Sequence, residues 1–404
     1  MRLPDTKGRV KMKFAANRKV LLEYLKSMQK AVPKTSINDA LKGFLIEACE
    51  DDGYLYLTAN NLEVAVQRKF KPSVESGGRF VMDARLIIDI LSRLGGSDVT
   101  MEMEKAGTIK IKSDNCTYTM QVLDGEKYLK PDIPFPDTTL FISGVKTAYD
   151  KTSFVCAKDG VSESLKGIRI EVKPHLMRAI CCNKQNIAMT TKDVPSNGEM
   201  SFTIPKESFS CLASAAGNDE LEVGFCGNNV VFLKEGLLFS ARVIDTEYVK
   251  VDDLFNNFEQ IYLAKAEYED LKTQVVNACD IAAMGTETSY VSLKFSEDKI
   301  MLTTQNDVGK GTNFANVVMI KGSVGHEFYY PANQLKEIFK TVEGTLAISL
   351  DKRGYMLVFD RCNKFMLTPV RKDAVEKQFN KFIEIKNKPA KTAKGKKTSE
   401  KLAA

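Results

Sequence analysis

The sequence has little of the chemistry from which active sites are built. Its 404 residues include no tryptophan and only two histidines, His175 and His326. It also lacks the short motifs that cradle phosphates, bind dinucleotides, present a nucleophilic serine or hold zinc, namely GxxxxGK(S/T), GxGxxG, GxSxG, HExxH and paired cysteines. We therefore expect a protein without catalytic activity, metal or cofactor.

The nine cysteines are scattered singly, apart from Cys181 and Cys182. An odd number without metal-binding spacing is typical of reduced thiols in an intracellular protein. We favour burial on a strand for the adjacent pair, and a thiol-dependent enzyme that uses Cys181 or Cys182 is a weaker alternative. Because no apolar run approaches the length of a membrane span, we expect a soluble, cytoplasmic protein.

Positive charge is concentrated at the C-terminus. The whole chain carries a formal net charge of +6, and residues 386–404 contain seven lysines and one acid. The preceding body is therefore near neutral, so a positive surface on it requires segregation of charge. The tail has too few apolar residues to form a core, and we expect it to be mostly disordered.

One pattern occurs three times in the chain. Phe80–Gly96, Phe202–Asn218 and Phe328–Gly344 each join an extended, phenylalanine-led run to an amphipathic helix, and their starts lie 122 and 126 residues apart. The helices should begin after Asp83, Pro205 and Pro331 and stop at Gly96, Gly217 and Gly344. This period exceeds the roughly 20–50 residues of solenoid units, so each repeat predicts a complete domain.

A further helix precedes each of these copies. Apolar spacing predicts helices at 17–32, 144–156 and 266–279. Their core faces should carry Leu21, Tyr24, Leu25, Met28 and Val32; Val145, Ala148, Tyr149, Thr152 and Val155; and Tyr268, Leu271, Val275 and Ala278. The opposite faces carry Lys19, Glu23, Lys26 and Lys30; Lys146 and Lys151; and Glu269, Lys272 and Asn277. Each lysine taken singly is an ordinary solvated side chain.

The pattern predicts an α+β protein with three repeated domains, each with two helices against antiparallel sheets. We expect a flexible leader at 1–11, domains at 12–136, 137–257 and 258–372, and a basic tail at 373–404.

Several runs in this order resemble the bacterial β sliding clamp, the β subunit of DNA polymerase III, and the chain is identified as a divergent member of that family. The runs are MKF (12–14), ALKGFLIEA (40–48), LYLTANNLEVAV (55–66), SLKGIRIEV (164–172), FTIPKESF (202–209), ARVIDTEY (241–248) and FMLTPVR (365–371). None is a strong signature alone, but their order and spacing cover most of residues 12–371.

The resemblance implies a head-to-tail homodimer whose six domains close into a ring around double-stranded DNA, without sequence preference. Such a ring tethers the replicative DNA polymerase and confers processivity. Polymerase, clamp loader and repair proteins would dock through a short motif, a glutamine followed by aliphatic and aromatic residues. The lysine-rich tail then either strengthens attraction to DNA, binds partners or only aids solubility.

Three sets of site residues follow. The expected DNA-facing lysines are Lys19, Lys26, Lys30, Lys34, Lys146, Lys151, Lys206, Lys272, Lys336 and Lys340. The resemblance implies a partner-peptide pocket formed by Leu165, Cys182, Lys184, Ile187, Val249, Leu254, Met366, Thr368, Pro369, Val370 and Arg371. It also implies a dimer interface in which Tyr118 and Met120 of one copy face Ile281 and Ala282 of the other.

The pocket segment departs from the family pattern. Many members have a Thr-Asp-Gly-His-Arg-Leu run where this chain has Cys182–Ile187, and Val249 replaces a usual proline. This departure motivates an alternative, a clamp paralogue that acts as a protein-docking scaffold and does not encircle DNA.

Overall fold

The computed structural model describes residues 12–105, 107–157, 162–285 and 289–376. No helix in these ranges is long and apolar enough to cross a membrane. The predicted leader at 1–11 and most of the predicted tail lie outside the described residues. Residues 372–376 are helical and Val375 is buried, so the start of the segment predicted as tail is ordered.

The described chain runs three times through one order of elements: strand, helix, three strands, strand, helix, three strands. We call these passes repeats one, two and three. Repeat one contains β1 (Met12–Asn17), α1 (Arg18–Met28), β2 (Gly43–Ala48), β3 (Leu55–Asn60), β4 (Val64–Phe70), β5 (Ser73–Ser76), β6 (Gly78–Asp83), α2 (Ala84–Arg93), β7 (Asp98–Lys105), β8 (Thr108–Ser113), β9 (Cys116–Gln121) and β10 (Leu123–Asp124). Here β5 and β10 are short additions to the common order.

Repeats two and three follow the same order. Repeat two contains β11 (Leu140–Ile142), α3 (Val145–Thr152), β12 (Gly167–Lys173), β13 (Leu176–Cys182), β14 (Ile187–Asp193), β15 (Met200–Pro205), α4 (Lys206–Ala216), β16 (Leu221–Cys226), β17 (Asn229–Lys234), β18 (Leu237–Arg242) and an added α5 (Val251–Asn256). Repeat three contains β19 (Gln260–Glu267), α6 (Tyr268–Ala283), β20 (Tyr290–Phe295), β21 (Lys299–Gln305), β22 (Lys310–Asn316), an added β23 (Val318–Gly322), β24 (Glu327–Pro331), α7 (Ala332–Thr341), β25 (Thr345–Asp351), β26 (Met356–Phe359) and β27 (Asn363–Leu367).

All six predicted helices are present, but α2 and α7 end at Arg93 and Thr341, before the predicted stops at Gly96 and Gly344, and α6 continues past residue 279 to Ala283. Asp83 caps α2 by accepting hydrogen bonds from the backbone N–H groups of Arg85 and Leu86. Gly217, at the end of α4, has a φ of 62°, a left-handed conformation that favours glycine. In α1 the residues Leu21, Leu25 and Met28 are buried as predicted, whereas Tyr24 and Val32 are only half-buried.

The chain forms two compact units. Unit one comprises repeats one and two to Asn257 together with Arg361–Phe365, and unit two comprises Phe258–Asp360 and the chain from Met366. The α+β class and the antiparallel sheets are confirmed. Because repeats one and two share unit one, the division into three domains with the predicted boundaries stays a prediction.

A continuous sheet joins the two repeats of unit one. It has the order β10-β6-β2-β3-β4-β18-β17-β16-β11, in which β4 of repeat one pairs with β18 of repeat two from Val64–Ala241 to Arg68–Leu237. Helix α1 packs against α4 at the same joint. A second sheet has the order β5-β1-β7-β8-β9, and β15-β12-β13-β14 lie side by side in another. The joint is therefore a strand pair backed by a helix pair.

Unit two is built in the same way. One sheet has the order β22-β21-β20-β24, the strands β26-β25-β19-β23 lie side by side in another, and α6 packs against α7 and β22. By position in the repeat, β22 corresponds to β4, and β9 of repeat one corresponds to β18. Within the described residues, β9 and β22 are both edge strands with one hydrogen-bonded neighbour each.

The expectation of nine unpaired thiols is wrong at two positions. Cys156 and Cys181 form a disulfide with their Cα atoms 5.5 Å apart, and the other seven cysteines are not disulfide-bonded. The pairing links the end of the segment after α3 to β13 over 25 residues of sequence. Neither spacing nor count indicated it, because tertiary packing brings the two cysteines together.

Candidate nucleic-acid face and partner pocket

Helix α1 presents unpaired positive charge. Lys19 and Lys26 are exposed opposite the buried stripe, and Lys34 is exposed in the following loop. None of the three has an ion-pair or hydrogen-bond partner for its side chain within the described residues. Glu23, one turn from both helix lysines, forms no ion pair with either. Three ammonium groups are thus free to meet an anion from solvent.

Lys30 follows α1 in the chain and contacts side chains of repeat two. Its Nζ donates to Ser210 Oγ on α4 at 2.9 Å and lies 5.8 Å from the centre of the Tyr149 ring. The side chain nevertheless remains exposed. A hydroxyl and a ring face are neutral partners, so neither supplies a negative charge to offset that of Lys30.

Repeat two contributes less free charge. Lys146 pairs with Asp150 one turn along α3, and Lys151 is half-buried. Lys206 is half-buried in the first turn of α4. A cation in the first helical turn opposes the helix dipole, which favours anions there.

The lysines of repeat three are mostly neutralised. Lys336 of α7 pairs with Asp280 of α6, and this hydrogen bond raises the lysine's pKa. Lys340 pairs with Glu337 at 3.2 Å. Lys272 lies 4.7 Å from the centre of the Tyr268 ring, and its hydrogen bond to that residue raises its pKa.

The ion pairs divide the predicted DNA-facing lysines into those paired with a carboxylate, such as Lys336, and those without one, such as Lys19. At a distance, a lysine paired with a carboxylate contributes almost no net field, and salt screens what remains. The three repeats therefore differ in the unpaired positive charge that their helix lysines present. The Asp150 and Glu337 partners lie within one helical turn and were visible in the sequence as i,i+4 and i,i+3 spacings. Asp280 lies 56 residues from Lys336 and was not.

Six of the predicted pocket residues lie in unit one. Leu165, Cys182 and Ile187 are buried, whereas Val249 and Leu254 are 44% and 45% exposed. The sixth, Lys184, is exposed. Contiguous exposed apolar surface marks interaction sites, whereas apolar side chains exposed singly are normal on a protein surface.

The turn at Cys182–Ile187, which carries part of the predicted pocket, is held by hydrogen bonds at both ends. Asn183 Oδ1 accepts hydrogen bonds from the N–H groups of Gln185 and Asn186 at 2.8 Å each, and Asn183 Nδ2 donates to the Val155 carbonyl at 3.0 Å. The backbone N–H of Cys182 donates to Tyr248 Oη at 3.0 Å. An Asx turn therefore replaces the glycine of the family pattern.

The other five predicted pocket residues lie in unit two. Met366 is buried, Arg371 is exposed, and Thr368, Pro369 and Val370 are intermediate. The backbone N–H of Val370 donates to the Tyr329 carbonyl at 2.7 Å, which fixes this segment beside β24.

The four predicted interface residues lie on the edge strand β9 and on helix α6. Tyr118 and Met120 are on the edge strand β9, where Tyr118 is 40% exposed. Ile281 and Ala282 are in the last turn of α6. Ile281 is half-buried, but Ala282 is buried within unit two, so it has little surface for a partner.

Neither a metal site nor a reactive thiol stands out. Among the described residues, no group of three or more His, Cys, Asp or Glu side chains could hold a metal ion. Cys181 is in the disulfide, and burial raises the pKa of the Cys182 thiol. Because the nucleophile of a thiol enzyme is the thiolate, both findings disfavour the thiol-enzyme alternative.

Comparison with known proteins finds similarity to one family. Residues 12–132 match the family model described as DNA polymerase III beta subunit, N-terminal domain. The curated beta sliding clamp of Mycoplasma capricolum is 22% identical over 82% of this chain and 90% of its own length. That of Micrococcus luteus is 20% identical over 74% of this chain and 96% of its own length.

Solved structures share the fold. The DNA polymerase III beta subunit of Thermotoga maritima has a TM-score of 0.80 at 17% identity, covering 89% of this chain and 99% of that one. A sliding clamp from Pseudomonas aeruginosa bound to griselimycin has a TM-score of 0.77 at 16% identity, with the same two coverages. The similarity therefore extends over almost the whole of each relative.

Proposed function

Since this chain is a divergent member of the DNA polymerase III beta-subunit family, we propose that it is a DNA sliding clamp that encircles double-stranded DNA as a head-to-tail homodimer. In this role it tethers the replicative polymerase and other replication and repair proteins in the cytoplasm. It encloses the duplex and holds its partners on it, and it performs no chemical step itself.

The joint inside unit one is the observation that carries the proposed ring. There β4 pairs with β18 and α1 packs on α4, which shows how one repeat follows another. The strands at the equivalent positions on the outer repeats, β22 and β9, are edge strands with one hydrogen-bonded strand neighbour each within the described residues. An edge strand is a template for pairing with another chain, and pairing β9 with β22 of a second copy repeats the same joint. A heterologous contact of this kind forms a ring when its rotation closes.

Attraction to DNA in this proposal is electrostatic and independent of sequence. Lys19, Lys26 and Lys34 are free to contact phosphates, and such contacts release counterions without reading bases. Enclosure then provides retention, so individual contacts can remain weak and permit sliding.

Partner docking is assigned to the predicted pocket. On its unit-one side, Val249 and Leu254 are exposed, and Tyr248, which precedes Val249 in the chain, accepts a hydrogen bond from the backbone N–H of Cys182. The Pseudomonas aeruginosa clamp bound to griselimycin shows that a relative of the same fold holds a ligand. For this chain we propose a peptide with aliphatic and aromatic anchors, which suit a concave apolar site.

A topological assay tests the ring. The protein is loaded onto nicked circular DNA with a clamp loader and separated from free protein, and the DNA is then cut once. We expect the bound protein to survive high salt on the circle and to be lost after linearisation, because a ring slides off the ends. Retention on linear DNA without end blocks would contradict enclosure.

The scaffold alternative is favoured by one observation, the replacement of the family's Gly-His-Arg turn by the Asn183 turn. A paralogue that docks proteins without enclosing DNA would bind partner peptides but show no salt-resistant retention on the nicked circle. The same assay thus separates the two functions.

A further inference from the structure

Helix α5 carries Leu254, an exposed residue of the predicted partner pocket, but only one residue of the helix is buried. It spans six residues, of which only Val251 is buried, and no side chain caps its N-terminus. Val249 precedes the helix and Leu254 lies on it, both with more than two fifths of their surface exposed. Isolated helices of this length are unstable in water, so contacts from outside must hold α5 in place.

Arg178 on β13 provides such a contact. Its Nη1 and Nη2 donate to Asp252 Oδ1 and Oδ2 of α5 at 2.9 and 3.0 Å, a two-pronged arrangement. Its Nε also donates to Glu171 Oε2 at 3.0 Å, and Glu171 lies directly opposite it on β12. The guanidinium is thus fixed to the sheet on one side and fixes the helix on the other.

The geometry distinguishes this pair from an ordinary surface ion pair. Only 16% of the Arg178 side chain is exposed, and a bidentate guanidinium–carboxylate contact sets orientation as well as distance. Hydrogen bonding from Arg178 lowers the pKa of Asp252, so the carboxylate stays ionised. The neighbouring Asp253 forms no ion pair within the described residues.

We propose that Arg178 is a positioning residue for partner docking: through Asp252 it holds α5 so that Val249 and Leu254 are presented to the anchor side chains of a peptide. This inference rests on the docking function proposed above. Preorganisation of a binding surface raises affinity because ordering is not required at the moment of binding. The bond between Arg178 and Asp252 therefore acts on peptide affinity by fixing the position of α5.

The test compares two adjacent aspartates on the same helix. Affinity for a fluorescently labelled peptide, with a glutamine followed by aliphatic and aromatic residues, is measured by polarisation for the wild type, Asp252→Ala and Asp253→Ala. We expect Asp252→Ala to bind about three- to tenfold more weakly and Asp253→Ala to bind like the wild type. Arg178→Lys, which keeps the charge but removes the bidentate geometry, should lie between the wild type and Asp252→Ala.

Hydrogen exchange gives a readout that is independent of the peptide. Backbone amides of residues 250–257 should exchange faster in Asp252→Ala than in Asp253→Ala, with unchanged exchange in α1 and α7. Equal affinity and equal exchange in the two variants would overturn the inference alone. Failure of the wild type to bind the peptide would instead overturn the docking function, and the inference with it.

Discussion

Helix α1 in repeat one and the helix pair α6 and α7 in repeat three carry similar numbers of lysines but differ in net charge. On α1, Lys19 and Lys26 have no acidic partner within the described residues, whereas Asp280 and Glu337 neutralise Lys336 and Lys340. Counting basic residues on helix faces therefore overstates the positive charge of repeat three. The unpaired positive charge available to phosphate therefore differs between repeats one and three.

Removing each group of lysines should have unequal effects on DNA binding. We expect the triple substitution of Lys19, Lys26 and Lys34 by alanine to weaken binding to linear duplex DNA about ten- to a hundredfold at low salt. The slope of log affinity against log salt should fall by roughly 0.9 for each phosphate that the variant no longer neutralises. The double variant Lys336→Ala and Lys340→Ala should lower the slope by less than roughly 0.9, the value for a single phosphate contact.

Affinity titrations at several salt concentrations check this prediction. Lys127→Ala, which removes an exposed lysine outside α1–α7, is the control for a general change in charge. Equal losses of affinity for the two helix groups would show that the ion pairs do not govern binding.

The converse substitution should leave the lysines of repeat three without carboxylate partners, like those of repeat one. Asp280→Asn combined with Glu337→Gln retains side-chain size while freeing Lys336 and Lys340 to contact phosphate. We expect DNA affinity at low salt to rise about three- to tenfold and the salt slope to steepen. The same titrations measure it, and an unchanged slope would place these lysines away from the DNA path.

The comparison also shows where sequence reasoning succeeds. The helices of all repeats were predictable because apolar periodicity and cap residues such as Asp83 are local signals. The neutralisation of Lys340 was also available, since Glu337 lies one turn away. The bonds of Lys336 to Asp280 and of Arg178 to Asp252 were not, because they join residues 56 and 74 positions apart.

The Cys156–Cys181 pair illustrates the same limit. Composition favoured free thiols, and only the packing of β13 against the segment after α3 brings the two sulfur atoms together. The predicted pocket residues came from resemblance, and the structure adds the Asn183 turn and the Arg178 anchor, which the family pattern did not indicate.

The smallest expected effect concerns the capping of the N-termini of α1 and α7. Asn17 caps α1 by accepting hydrogen bonds from the N–H groups of Lys19 and Val20, whereas α7 follows Pro331 without a side-chain cap. We expect Asn17→Ala to lower the free energy of unfolding of unit one by about 1 kcal/mol, or the melting temperature by roughly 2–4 °C. Asn277→Ala, on the exposed face of α6, makes the same chemical change inside a helix and should be neutral or slightly stabilising. Calorimetry of both variants decides the point: if Asn17→Ala melts no earlier than Asn277→Ala, the α1 lysines are held by packing against α4 and not by their cap.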